Sequence, residues 1–111
     1  MATGRLGVAD LSAGGNGTSV YLCPASTFAV VTVNLCNRNA SSRNVRIAVT
    51  TNDPTSAAPS NSEYIEYDSS LLANGVLERT GIVLDAGKRI VVYASGIDVS
   101  CVVMGIETST S

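Results

Sequence analysis

The stretch Asn44-Val45-Arg46-Ile47-Ala48-Val49-Thr50-Thr51 decides the fold class. Val45, Ile47, Val49 and Thr51 alternate with Asn44, Arg46, Ala48 and Thr50, the period of a strand with one dry and one wet side. Working outward, Phe28 to Asn37 repeats the pattern, with Val31, Val33 and Leu35 on one side and Val30, Thr32, Asn34 and Cys36 on the other. Ile65 and Tyr67 alternate with Glu66 and Asp68, and Val102, Met104 and Ile106 with Cys101, Val103 and Gly105. Ile90, Val92 and Ala94 alternate with Arg89, Val91, Tyr93 and Ser95, which predicts a strand covered on both sides. Thr18 to Cys23 and Val76 to Leu84 are shorter candidates, the latter interrupted at Gly81 by a bulge or bend. Asn74-Gly75, Ala86-Gly87 and Gly96-Ile97-Asp98 supply turns between the runs. About seven short strands, frequent turns and no capped helical stretch predict a single antiparallel β-sandwich or jelly-roll-like domain.

Two segments stand outside this pattern. Residues 1–17 are rich in Gly and Ala, and Arg5, Leu6, Val8 and Leu11 are scattered through them. This predicts an N-terminal arm that lies on a neighbouring protein, with those four residues as contacts, or else a frayed tail with one short edge strand. An arm of this kind is removable without unfolding a domain at 18–111, and Ser12-Ala13-Gly14-Gly15-Asn16-Gly17 reads as its hinge. Asn52 to Ser62 is a long polar loop with Pro54 and Pro59, unfit for sheet interior.

Composition narrows the chemistry. The chain has 111 residues, 45% hydrophobic and 14% charged, with net charge -2 and no histidine. That balance suits one packed domain and excludes Ser-His-Asp and Cys-His catalysis and histidine metal sites. The basic residues are spread along the chain, which gives no footprint for nucleic acid. No apolar run reaches the length of a signal peptide or a membrane span, which predicts a protein made and kept in a cytosol or assembled there.

Candidate reactive groups find no partners. Glu66 and Asp68 would stand about 7 Å apart on one strand side, close enough for acid–base work or Ca²⁺, yet neither the loop spacing nor a basic neighbour completes a site. Cys23, Cys36 and Cys101 form no zinc pattern and are expected to be buried free thiols. The glycine-rich segment lacks the Lys-Ser or Lys-Thr ending of a phosphate loop. These readings predict no catalytic residue, no cofactor and no metal. Tyr64, with the Asn52 to Ser62 loop, is a candidate sugar-stacking site, although a half-buried tyrosine is the simpler reading.

Several phrases also carry a resemblance. They are Gly4-Arg5-Leu6-Gly7-Val8-Ala9-Asp10-Leu11, Val33-Asn34-Leu35-Cys36-Asn37-Arg38, Val45-Arg46-Ile47-Ala48 and Tyr64-Ile65-Glu66-Tyr67-Asp68. With them stand the runs Leu72 to Gly81, Ala86 to Ser95 and Val99 to Glu107. Together they resemble small virion structural proteins of tailed bacteriophages, including phages of cyanobacteria. The resemblance implies a compact β-sandwich in the particle, and the first expectation for its role is a capsid decoration or cement protein on the exterior of the head. It would bind the major capsid protein and self-associate as a homotrimer in the virion, with no nucleic-acid or membrane partner. A tail, neck, baseplate or fibre component, or a carbohydrate-binding adhesin, are the alternatives. One departure concerns a turn: the sequences it resembles commonly run from a strand into Val-Pro-Ala-Gly-Lys, whereas the matching region here reads Leu22-Cys23-Pro24-Ala25-Ser26-Thr27, so the turn glycine is absent and the turn type there is left open.

Overall fold

The computed structural model describes residues 3–11 and 15–110. Among the described residues eight strands run β1 (Thr3–Leu11), β2 (Thr18–Leu22), β3 (Thr27–Asn37), β4 (Arg43–Thr50), β5 (Tyr64–Leu71), β6 (Val76–Leu84), β7 (Arg89–Ala94) and β8 (Val99–Ser109). A single 3₁₀ turn, Asn61–Glu63, precedes β5. The strands form two four-stranded sheets, β1-β8-β3-β6 and β2-β7-β4-β5, here the first and second sheet. Pairing joins β1 to β8, β2 to β7, β3 to β6 and β4 to β5, all antiparallel. The chain is thus one long hairpin rolled around a core, with β3–β8 and β4–β7 contacts completing each sheet. This is the jelly-roll form of the antiparallel sandwich.

The core follows from the alternation. Val31, Val33 and Leu35 of β3, Val45 and Ile47 of β4, Ile90 and Val92 of β7, and Cys101 and Val103 of β8 turn inward and are buried. Most are short and β-branched, which suits strand backbones and fills the roughly 10 Å between packed sheets. The predicted turns hold: Asn74, Gly87 and Asp98 adopt positive φ (57°, 85° and 72°). Gly81 also has positive φ (70°), and the β3–β6 register shifts between Val31 and Val33, opposite this break. Ser26 takes φ 53° in the turn from β2 to β3. A non-glycine residue therefore holds a left-handed conformation there.

The eighth strand lies within residues 1–17. Apart from a bulge at Leu6, Thr3–Leu11 pairs with β8 as the edge of the first sheet, so these residues are part of the sandwich rather than an extension from it. Leu11 is buried in the core and Leu6 packs against it, and two inward apolar residues on a paired strand are enough to seat it. Gly7 is needed for this, since a side chain there would meet the Val20 carbonyl oxygen of β2 at 2.1 Å. Of the predicted hinge, Ser12, Ala13 and Gly14 lie outside the described residues, as do Met1 and Ala2 of the predicted arm.

Polar groups close the ends of the sandwich. Buried Asn37 donates from Nδ2 to the carbonyls of Ser41 (2.9 Å), Leu71 (3.1 Å) and Leu72 (3.2 Å), and its Oδ1 accepts from Asn39 N (2.9 Å). Arg79 of β6 pairs with Glu66 of β5, linking the two sheets along one open side.

Candidate functional site

The two sheets differ on their outer faces. In the second sheet, Thr50, Ala48, Arg89 and Val91 point outward, yet Thr50, Ala48 and Val91 are buried. The Asn52 to Ser62 loop is tied to this side. Thr50 Oγ1 donates to Glu63 Oε1 (2.7 Å), Arg89 pairs with Asp53 (3.6 Å), and Asn16 Nδ2 donates to the Pro54 carbonyl (3.1 Å). Thr55 N and Oγ1 both donate to Asp53 Oδ1, and these bonds hold its carboxyl below the usual carboxylate range. The loop is polar in sequence because its side chains build this scaffold.

The first sheet has no such cover. Its inward residues are core, so the opposite parity faces outward: Val8 on β1, Val102, Met104 and Ile106 on β8, Phe28, Val30 and Thr32 on β3, and Val76 and Val83 on β6, with the polar residues Arg5, Asp10, Asn34, Glu78, Ser100 and Thr108 among them. These residues sit opposite one another across the strands. Val8 pairs with Val102, Ile106 with Val30, Val30 with Val83, and Met104 with Thr32. Val83 is 65% exposed, Val8 54% and Ile106 51%. Among the described residues, five of the nine exposed large hydrophobics lie on this one face, so it is a patch and not scatter. The outer face of an antiparallel sandwich is ordinarily polar, and this one instead exposes a contiguous group of large apolar residues.

The four predicted contact residues divide between the two faces, with the β1 bulge between Arg5 and Gly7 bringing Arg5 onto the same side as Val8. Arg5 and Val8 point outward onto this face and are exposed, whereas Leu6 packs on the core and Leu11 lies within it. The sequence carries a signal of this face, apolar residues at both parities of β3 and β8, but the same signal on β7 belongs to a covered face, so it does not by itself mark exposure.

A second cluster lies on the outer side of the second sheet. The Arg46 guanidinium lies 4.2 Å from the ring centre of Tyr67 and 4.6 Å from that of Tyr93. Arg46 also donates to both carboxylate oxygens of Asp68 (2.6 and 3.3 Å), which lowers the Asp68 pKa and raises that of Arg46. Tyr64 meets Tyr67 edge-to-face at 4.9 Å. Tyr64 is half-buried, while Tyr67 is 57% exposed beside an open depression that it lines with Asn61. Glu66 and Asp68 do not act as a pair. Asp68 sits at φ 53° where the β4–β5 register is irregular, and each acid engages its own arginine.

The cysteines are free. Cys23 and Cys101 are buried, and burial pushes the Cys101 thiol up to about 12 and raises that of Cys23. Cys36 departs from the buried expectation, because its parity on β3 turns it onto the exposed face. Among the described residues no group of three or more Cys, Asp or Glu could hold a metal ion. No family model, no curated protein and no solved structure matches this chain.

Proposed function

We propose that this chain is a structural protein of a bacteriophage virion, a decoration or cement protein that stabilises the head by bridging major capsid subunits. The observation that carries the reading is the uncovered apolar face of the first sheet. A face of Val, Ile, Met and Phe loses little on desolvation and gains on burial against protein. The sparse charge of the chain works the same way, and the resemblance of its sequence phrases points to a virion as the setting. In a particle, weak contacts repeated between neighbours gain strength from effective concentration. Quantitative mass spectrometry of purified particles tests the reading. A constant icosahedral ratio to the major capsid protein is the expected result. A ratio fitting the six-fold tail transfers the protein to the tail, and absence from particles removes the proposal.

A carbohydrate-binding adhesin is the second reading, favoured by the exposed Tyr67 ring beside the depression it shares with Asn61. Sugar rings stack on such exposed aromatics. Glycan-array binding lost on Tyr67→Ala would establish it.

A further inference from the structure

We infer that the outer face of the first sheet pairs with the same face of a second copy of this chain about a two-fold axis. The inference rests on the reading of that face as a protein-binding surface and names its occupant, which leaves the proposed contacts with major capsid subunits to the remaining surfaces of the pair. Four strands spaced about 4.8 Å apart and about nine residues long present roughly 600 Å². Two such faces bury about 1,200 Å², which is the lower bound of stable interfaces. Sheets pack face to face through interdigitating side chains of this kind, at the same separation as the two sheets within the domain.

Charge at the margins selects the symmetry. Arg5 lies on edge strand β1 and Glu78 on the opposite edge strand β6, both outward and exposed. Among the described residues neither belongs to an ion pair. Three strand spacings, about 14 Å, separate β1 from β6, so the two do not meet within one chain. A two-fold axis along the strands lays the β1 edge of one copy over the β6 edge of the other. Arg5 then stands near the partner copy's acid, and the pairing occurs twice. The apolar residues Val102, Met104, Ile106 and Val30 fall near the axis, where they are covered from both sides. The resulting pair presents two copies of every remaining surface, which is what bridging requires.

Sedimentation equilibrium of the full chain over a wide concentration range tests this. A monomer–dimer equilibrium is expected, and Ile106→Glu should weaken it about 100-fold by burying a charge at the centre. Arg5→Glu and Glu78→Arg should each weaken it about five- to ten-fold, and the double variant should recover to within about three-fold of the parent. Both charge positions are exposed, so each variant should keep the parent's circular dichroism spectrum. A chain monomeric at every concentration, a trimer, or single losses without rescue overturns the two-fold pairing. Those results leave particle incorporation to be judged separately by its icosahedral ratio. A dimer that never enters particles overturns the virion reading and leaves the pairing intact.

Discussion

Tyr21 and Glu107 are 86 positions apart, yet Tyr21 Oη donates to Glu107 Oε2 at 2.5 Å. Tyr21 is on β2, the edge of the second sheet, and Glu107 is on β8 in the first. The bond therefore crosses the sandwich on the side opposite the Arg79–Glu66 pair, and both open sides are closed by a polar link. Burial, then the bond to Glu107, raises the Tyr21 pKa. Tyr21→Phe should keep the ring's packing and remove the hydroxyl. We expect a loss of about 1.5–3 kcal/mol, the range for a hydrogen bond to a charged group, read as a lower urea midpoint at unchanged slope.

Removing residues 1–11 should destabilise the whole domain, because it strips β8 of its edge partner and takes Leu11 from the core. The exposed edge of β8 should make the truncated chain self-associate. The subtler version is Gly7→Ala. The added methyl has nowhere to go but toward the Val20 carbonyl, and a loss of about 2–3 kcal/mol in thermal or urea unfolding is expected.

Ser26→Gly should stabilise. A non-glycine residue in the left-handed region costs about 1–2 kcal/mol, and the greater freedom of glycine in the unfolded chain returns part of that. A net gain of about 0.5–1 kcal/mol is expected, with a raised melting temperature. A neutral or destabilising result would mean that the Ser26 conformation is held at no cost.

The thiols should separate cleanly. In dilute solution, where any pair of chains is dissociated, one thiol per chain should react rapidly with a thiol reagent, and Cys36→Ser should abolish that reaction. Cys23 and Cys101 should react only on unfolding, since burial raises both above the ordinary thiol value. By the same linkage, the stability these buried thiols contribute is complete below about pH 9. It declines as pH rises toward the Cys101 value of about 12, because the unfolded chain then gives up protons that the folded chain keeps.

Acid should act in the opposite sense. Asp53, Asp68 and Asp85 are held below the ordinary carboxylate value, by the Thr55 backbone bond, the Arg46 bond and the Lys88 bond respectively. Between their folded and unfolded values the unfolded chain binds more protons, so stability is full above about pH 4 and falls as pH drops below it. Urea midpoints at pH 7, 4 and 3 check the sign. All three groups are exposed, so the loss should be small and should shrink further at high salt.

The strand alternation of Val31-Val33-Leu35 and Val45-Ile47-Val49, the Asn74-Gly75, Ala86-Gly87 and Gly96-Ile97-Asp98 turns and the break at Gly81 were all legible in the sequence, because each is a local consequence of side-chain period and φ preference. The sandwich class follows from them. In sequence, residues 3–11 read as an arm on a neighbour or, alternatively, as a tail with a short edge strand, and the structure makes them an edge strand. Their apolar content is low, and only the pairing of β1 with β8 and the seat of Leu11 between the sheets make them a strand. The alternation expected of Ile65 and Tyr67 failed for a similar reason: the irregular β4–β5 register and the left-handed Asp68 turn Tyr67 outward. Most consequentially, the sequence shows apolar residues at both parities of β3 and β8 but not which side is dry or whether the other is covered. Parity is a local property, whereas cover depends on where a distant segment lands. The Asn52 to Ser62 loop is tied to the second sheet, and the first sheet's outer face, carrying Val8, Val30, Val83 and Ile106, is left uncovered.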